Sequence, residues 1–258
     1  MKYYQYLGLI SILIFSFFYA EKIANITLEN NEIFQSINNY KDKYTIKPVN
    51  AIITDNYMIP GLNGKEVNIK KSYHKMKKYD SYNPNYIIYN SIIPSNSIKN
   101  NLDKVINKGN SLKKEVAIIV KDNNKVINYL LNKGVEVTIL VNSSNYSDYK
   151  AGELINNDVE NYRRMENILN NNKQNTNICY VNNIIENICR KYKKYLVKTN
   201  LIVDNQSFIN IKNNISNGDI YYISNNLNID YLQIFIKTIE YRDLKIVYLS
   251  KLISEERY

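Results

Sequence analysis

Lys121 and Asp122 stand where an apolar run, Val116 to Val120, gives way to a polar knot completed by Asn123 and Asn124. A carboxylate beside an ammonium at the end of a strand can serve as metal ligand, as acid–base partner or as one half of an ion pair. Asp158 and Glu160 add two carboxylates in one short polar stretch. The single histidine, His74, lies in the Lys-rich segment KKSYHKMKK, which excludes any multi-histidine metal site. Cys179 and Cys189 lack metal-ligand spacing. Placed across an expected strand and helix, they read as two buried free thiols; a disulfide is the alternative if the chain is exported.

The elements that must position these residues follow from periodicity. Residues 115–142 read EVAIIVKDNNKVINYLLNKGVEVTILVN. Two apolar runs flank a helical segment with apolar positions at Val126, Ile127, Leu130 and Leu131, closed by Gly134, which is the pattern of a βαβ unit. Chemistry in such units sits in loops at the carboxyl ends of the strands, hence at Lys121 to Asn124. Upstream, Val49 to Pro60 predicts a hairpin turning at Asp55-Asn56, and Asn68 caps a helix to about Tyr79. Residues 80–110 read as irregular strands and loops. Downstream, helices are predicted over Tyr162–Asn171, Ile184–Tyr195 and Ile229–Arg242. Strands are predicted over Asn175–Val181, Leu196–Val203, Asp219–Ile223 and Leu244–Leu249. Strands alternating with helices make the class α/β, with six or seven strands suiting an incomplete barrel.

The formal net charge of +10 would ordinarily raise nucleic acid as a partner. Here 44 of 258 residues are Asn, Tyr numbers 25 and Trp is absent, a profile that A/T-rich codons produce. The lysines are scattered among Asn and acids and form no basic stripe, so no nucleic-acid partner is expected. Residues 3–20 are almost wholly apolar and read as an uncleaved signal-anchor, since Phe18 fits poorly near a cleavage site after Ala20; a cleaved signal peptide is the alternative. The expected location is the cell membrane, single-pass, with the bulk of the chain extracytoplasmic. Ile26, Asn30, Ile33, Ile37, Tyr40 and Tyr44 form a short heptad seam, read as a stalk helix or as a dimerising coiled coil. The expected segments are a membrane helix (1–22), a stalk (23–46), an N-terminal extension (47–112) and a main domain (113–258).

From Lys113 to Glu255 the chain resembles the polysaccharide deacetylase (NodB-homology) family, a distorted (β/α) barrel. VAIIVKDN at 116–123 is similar to the family's opening strand, which usually ends Thr-Phe-Asp-Asp-Gly. VINYLLNKGVEVTILV at 126–141 resembles its first helix and second strand, and GELINND at 152–158 the segment that carries His-Glu-Ile-Gly-Asn-His. IKNNISNGDIYYIS at 211–224 and YLQIFIKTIEYRDLKIVYLSKLIS at 231–254 look like the C-terminal strand, helix and strand. Residues 47–110 also resemble the extension that precedes degenerate, membrane-anchored members in low-G+C Gram-positive bacteria.

The resemblance implies a divalent metal held by one Asp and two His, an Asp as general base and a late-strand His as acid. Carried across, the base position falls on Lys121, the metal aspartate on Asp122, the metal histidines on Asn157 and Asn161, and the late-strand acid on Ser224. Only Asp122 keeps its type, and NICYVNN at 177–183 lacks the family's arginine. The expectation is therefore a pseudoenzyme with no cofactor, binding cell-envelope glycan or an envelope protein through residues such as Asp122, Asp158 and Tyr180. One alternative is an active carbohydrate deacetylase with a rebuilt zinc-type site using Asp122, Asp158 and Glu160. Another is an assembly factor that dimerises through the stalk. Lys121 beside Asp122 is expected to pair with it in a part-buried mouth, replacing the charge of the metal; the alternative is that both side chains simply face solvent.

Overall fold

The computed structural model describes residues 2–174 and 176–257. Helices α1 (Lys2–Glu29) and α2 (Glu32–Tyr44) precede strands β1 (Ile52–Ile53), β2 (Tyr57–Ile59) and β3 (Gly64–Val67), then α3 (Ile69–Lys77), β4 (Tyr89–Ile92) and β5 (Val105–Ile106). The alternating part begins with β6 (Glu115–Lys121), α4 (Asn124–Asn132), β7 (Val137–Val141), β8 (Glu153–Asn156) and α5 (Tyr162–Asn171). It continues with β9 (Ile178–Tyr180), α6 (Glu186–Lys191), β10 (Tyr195–Val197), β11 (Leu201–Val203) and α7 (Phe208–Asn213). It ends with β12 (Ile220–Ile223), α8 (Ile229–Tyr241), β13 (Lys245–Ile246) and α9 (Leu249–Ile253).

These elements form two compact units, residues 1–47 with 64–92, and residues 48–63 with 93–258. The second unit thus takes in stretches on both sides of β3–β4 that the sequence grouped with the extension. In the first unit, α2 and α3 pack through Ile33, Ile37, Tyr73 and Met76, with Ile87 closing the cluster. The seam expected to run unbroken through residues 26–44 is interrupted. Asn31 caps α2 by accepting from the N–H groups of Ile33 (3.0 Å) and Phe34 (3.4 Å), so the chain restarts as a new helix. Helix α1 contains one stretch, Ile10–Glu29, long and apolar enough to cross a membrane by length and composition. Its Phe15, Phe17 and Phe18 side chains are exposed.

In the second unit, β11-β12-β6-β7-β8 run parallel, with β13 also paired to β6. The other sheet, β1-β2-β5-β10-β9, is parallel except for the β1–β2 hairpin. The expected α/β class holds, as mixed sheets; among the described residues no ladder closes them into a ring. Residues Val116 to Val120 of β6 are wholly buried, and alternation divides them between two cores. Val116, Ile118 and Val120 pack with α4, α5 and α8 through Leu130, Met165 and Phe235. Ala117 and Ile119 face the other way, with Leu140, Ile155 and Ile220 of their own sheet and Ile106, Ile178 and Val197 of the second. Gly134 ends α4 at φ +71°, the left-handed conformation that the stop signal required.

Four predicted elements differ from those observed. Leu196–Val203 is two strands, β10 and β11, because the Thr199 hydroxyl donates to Ile220 O and accepts from Leu201 N, breaking the run. The helix expected over Ile184–Tyr195 is trimmed to α6, and the last strand to β13, after which α9 begins. The strand expected from Asn175 starts at Ile178; Asn175 itself lies outside the described residues. Cys179 and Cys189 are disulfide-bonded rather than free. Helix α6 folds back over β9, both cysteines are fully buried, and their Cα atoms are 6.2 Å apart, within bridging range.

Lys113 closes the far end of this unit. Its Nζ donates to the carbonyls of Lys251 (2.8 Å) and Ser254 (2.5 Å) at the end of α9. Burial lowers its pKa to about 8 from 10.5, outweighing the pull of Glu115. The unfolded chain therefore binds more protons than the folded one between about pH 8 and 10, so stability should rise with pH there. Above pH 10 the buried Tyr162 and Tyr180, whose pKa values burial raises, reverse the slope. Urea midpoints measured from pH 7 to 10.5 should show this rise and fall. Lys113→Met should abolish the rise, and an unchanged slope in that variant would remove Lys113 as its cause.

Candidate functional site

The register of the parallel sheet brings four chain segments to one edge. Lys121 lies level with Leu140, Leu140 with Ile155, and Val120 with Ile223. Lys121, Asn142, Asn157 and Ser224 therefore stand at the carboxyl ends of β6, β7, β8 and β12, where a doubly covered parallel sheet exposes its chemistry. Period-two alternation puts Lys121, Asn157, Tyr180 and Tyr222 on the parity of the core shared by the two sheets, two residues beyond Ile119, Ile155, Ile178 and Ile220.

Asp122 is exposed and left-handed, at φ +49°. Its Oδ1 accepts from Asn145 Nδ2 at 2.6 Å, whereas Lys121 Nζ stands 3.8 Å from Oδ2. With the Lys121 and Asp122 side chains 35% and 43% exposed, this is a loose, solvated pair rather than the part-buried one expected from the sequence. Asn145 also accepts from Asn142 N–H (2.9 Å), so it locks the loop after β7 onto the loop after β6. Asn123 makes a second tie: its Oδ1 caps α4 through Val126 N–H (3.1 Å) while its Nδ2 donates to Asn225 O (3.3 Å) after β12.

Asp158 is buried and supplies the third tie. Its carboxylate accepts from the N–H groups of Ser143 (2.9 Å) and Asn161 (2.8 Å). Burial alone would push its pKa up; hydrogen bonds from the Ser143 hydroxyl and the N–H groups of Asn161, Ser143 and Glu160 outweigh it and hold the group below the usual carboxylate range. Its capacity is spent on Ser143 and on the N–H groups of the turn, so it organises the turn before α5. Asn157 N–H extends the ladder to Val141 O (2.7 Å), and Ser224 N–H donates to Val203 O (3.0 Å). Asn161 and Glu160 are exposed, and the Asn161 side chain makes no bond at the helix start. Among the described residues no hydrogen bond joins Asp122 to Asn157, Asn161 or Ser224. Tyr180 stacks on Tyr222 at 5.8 Å and 17°. Burial and the neighbouring Tyr222 push Tyr180 up to about 12; burial and the Asp122 carboxylate raise Tyr222.

These residues do not fit a divalent transition metal. One Asp122 oxygen already holds an amide, the other faces an ammonium, and Asn157 and Asn161, expected to stand in place of imidazoles, offer only amide groups. No group of three or more His, Cys, Asp or Glu converges anywhere among the described residues. The roles of Asn145 and Tyr222 were not singled out from the sequence. Asn142-Ser-Ser-Asn145 directly after an apolar run is a turn-forming signature, and Tyr222 follows from alternation in IYYI.

This architecture has solved counterparts. A pseudoenzyme of the CE4 family from Bacillus anthracis superimposes with a TM-score of 0.59 at 16% identity, over 89% of this chain and 97% of that one. The chain shares the fold of that CE4-family protein. A mutant of the same pseudoenzyme with restored enzymatic activity superimposes with a TM-score of 0.57 at 17% identity, over 89% and 100% of the two chains. The uncharacterised Bacillus subtilis protein YlxY is 31% identical over 98 residues, covering 38% of this chain and 31% of that protein. The match thus spans about a third of that relative's length. No protein-family profile matches the chain.

The unequal grip on Asp122 has a measurable consequence. Asn145→Ala removes two hydrogen bonds and should cost about 1–2 kcal/mol, whereas Lys121→Ala should cost at most ~0.5 kcal/mol. Chemical denaturation of both variants checks the order; a larger loss for Lys121→Ala would restore the ion pair as the element that holds the mouth.

Proposed function

We propose that this protein is a membrane-anchored, extracytoplasmic pseudoenzyme of the CE4 fold that binds cell-envelope glycan without hydrolysing it. The observation that carries the reading is the donor set at the mouth: the one carboxylate at a family metal position, Asp122, is engaged by Asn145 and Lys121. The stacked Tyr180 and Tyr222 offer an aromatic surface of the kind that sugar rings pack against. The disulfide suits an oxidising compartment outside the cytoplasm, and the exposed apolar face of α1 suits a membrane anchor. Assembly through the stalk is less favoured, because Ile33 and Ile37 of its seam are already buried by Tyr73 and Met76.

Full-length protein in lipid nanodiscs, titrated with acetylated chito-oligosaccharides, should bind them, and Tyr180→Ala or Tyr222→Ala should each weaken binding about tenfold, the value of one aromatic contact. Binding only of an envelope protein, with oligosaccharides inert, would replace the glycan by a protein ligand.

The metal positions can be tested separately. Lys121→Asp, Asn157→His and Asn161→His combined should take up one zinc per chain where the parent takes up none, because the two histidines complete an Asp-His-His set with Asp122 and Lys121→Asp replaces the neighbouring ammonium by a carboxylate. Stoichiometric zinc in the parent would contradict the reading.

A further inference from the structure

A second cluster of reactive groups lies behind the mouth, between β8, α5 and the start of β10. Asn156, Glu166 and Lys194 are 2%, 7% and 9% exposed, so a carboxamide, a carboxylate and an amine share one dry site. Glu166 bridges the other two: its Oε1 accepts from Asn156 Nδ2 at 3.1 Å, and its Oε2 pairs with Lys194 Nζ. Lys194 Nζ also donates to Thr176 O. The carbonyl of the carboxamide is held too, since Asn156 Oδ1 accepts from Asp158 N–H at 2.9 Å. Cys179, Ile185, Cys189 and Leu196 form the adjoining apolar cluster with Tyr162, whose buried hydroxyl has no hydrogen-bond partner among the described residues.

A buried ion pair alone would not require the carboxamide. Together the three groups form a nucleophile, a proton carrier and an electrophile whose oxygen already faces an N–H donor, the parts that acyl transfer needs. We propose that Lys194 and Asn156 are joined by a spontaneous intramolecular isopeptide bond, with Glu166 as the catalytic residue.

The step balances without any co-reactant. Lys194 Nζ gives a proton to Glu166 Oε2 and its freed lone pair attacks Asn156 Cγ, forming the new C–N bond. The carbonyl oxygen takes up negative charge against Asp158 N–H. Glu166 returns that proton to Nδ2 and takes up the remaining extra proton of Lys194 as the Cγ–Nδ2 bond breaks, so that ammonia leaves as the neutral molecule. The products are a neutral amide, ammonia and a protonated Glu166, so neither charge of the buried pair remains in the dry site. Holding the reactants on one carboxylate replaces an encounter between them by a fixed geometry. The cross-link would enclose the Cys179–Cys189 bridge within a second covalent loop, one that reducing agents cannot open.

Intact mass of the purified full-length protein, after reduction of the disulfide, tests this. The expected mass is below the sequence mass by one ammonia, and proteolysis should yield a branched peptide joining the Asn156 and Lys194 fragments. Glu166→Gln and Lys194→Arg should each return the full sequence mass. A wild-type protein at its full mass, with the two fragments recovered separately, would overturn the proposal. So would an ammonia loss mapping to a single linear peptide, the mark of a succinimide. The wild-type peptide map decides the matter even where a variant fails to fold.

Discussion

Everything in the second unit depends on the burial of β6 on both faces. Five consecutive residues, Val116 to Val120, have no contact with solvent, and their backbone is satisfied by parallel ladders to β12, β7 and β13. A strand so placed can carry polar groups only at its ends. The polar groups at its carboxyl end must then be satisfied by neighbouring loops, which is why Asp122 meets Asn145 of the loop after β7 and Asn123 meets Asn225 of the loop after β12. The same burial fixes the alternation that puts Lys121 and Tyr222 toward the inter-sheet core and sends Val120 and Ile223 toward the helices.

In the proposed reading, side-chain amides have taken over a job that a metal does in an Asp-His-His site. A cation binds loops together by drawing ligands from several of them. Here Asn145 reaches Asp122, Asn123 reaches Asn225, and Asp158 gathers the N–H groups of Ser143 and Asn161. Each link is a hydrogen bond worth about 1 kcal/mol, and none polarises a carbonyl or activates water. In that reading the mouth keeps its shape without the means of hydrolysis.

The fold was largely legible because β6, α4 and β7 have unmistakable periodicity and stop signals, and α5 begins and ends where its pattern does. What escaped depended on single side-chain bonds. Thr199 splits one apolar run into two strands, and Asn31 cuts one helical seam into two helices. The disulfide escaped because sequence spacing says nothing of the reversal between β9 and α6 that brings Cys179 and Cys189 together. At the mouth, Lys121 and Asp122 were identifiable as residues, but their grip was not: the Lys121–Asp122 pair is peripheral, and Asn145, one more Asn in an Asn-rich chain, holds the carboxylate.

The central claim is that this scaffold no longer catalyses hydrolysis at the β6 mouth. The most direct measurement is acetate release from acetylated chito-oligosaccharides by the full-length protein supplied with excess zinc. The account predicts release no faster than in the protein-free control, unchanged by Asp122→Asn. Turnover above that control, abolished by Asp122→Asn, would contradict it.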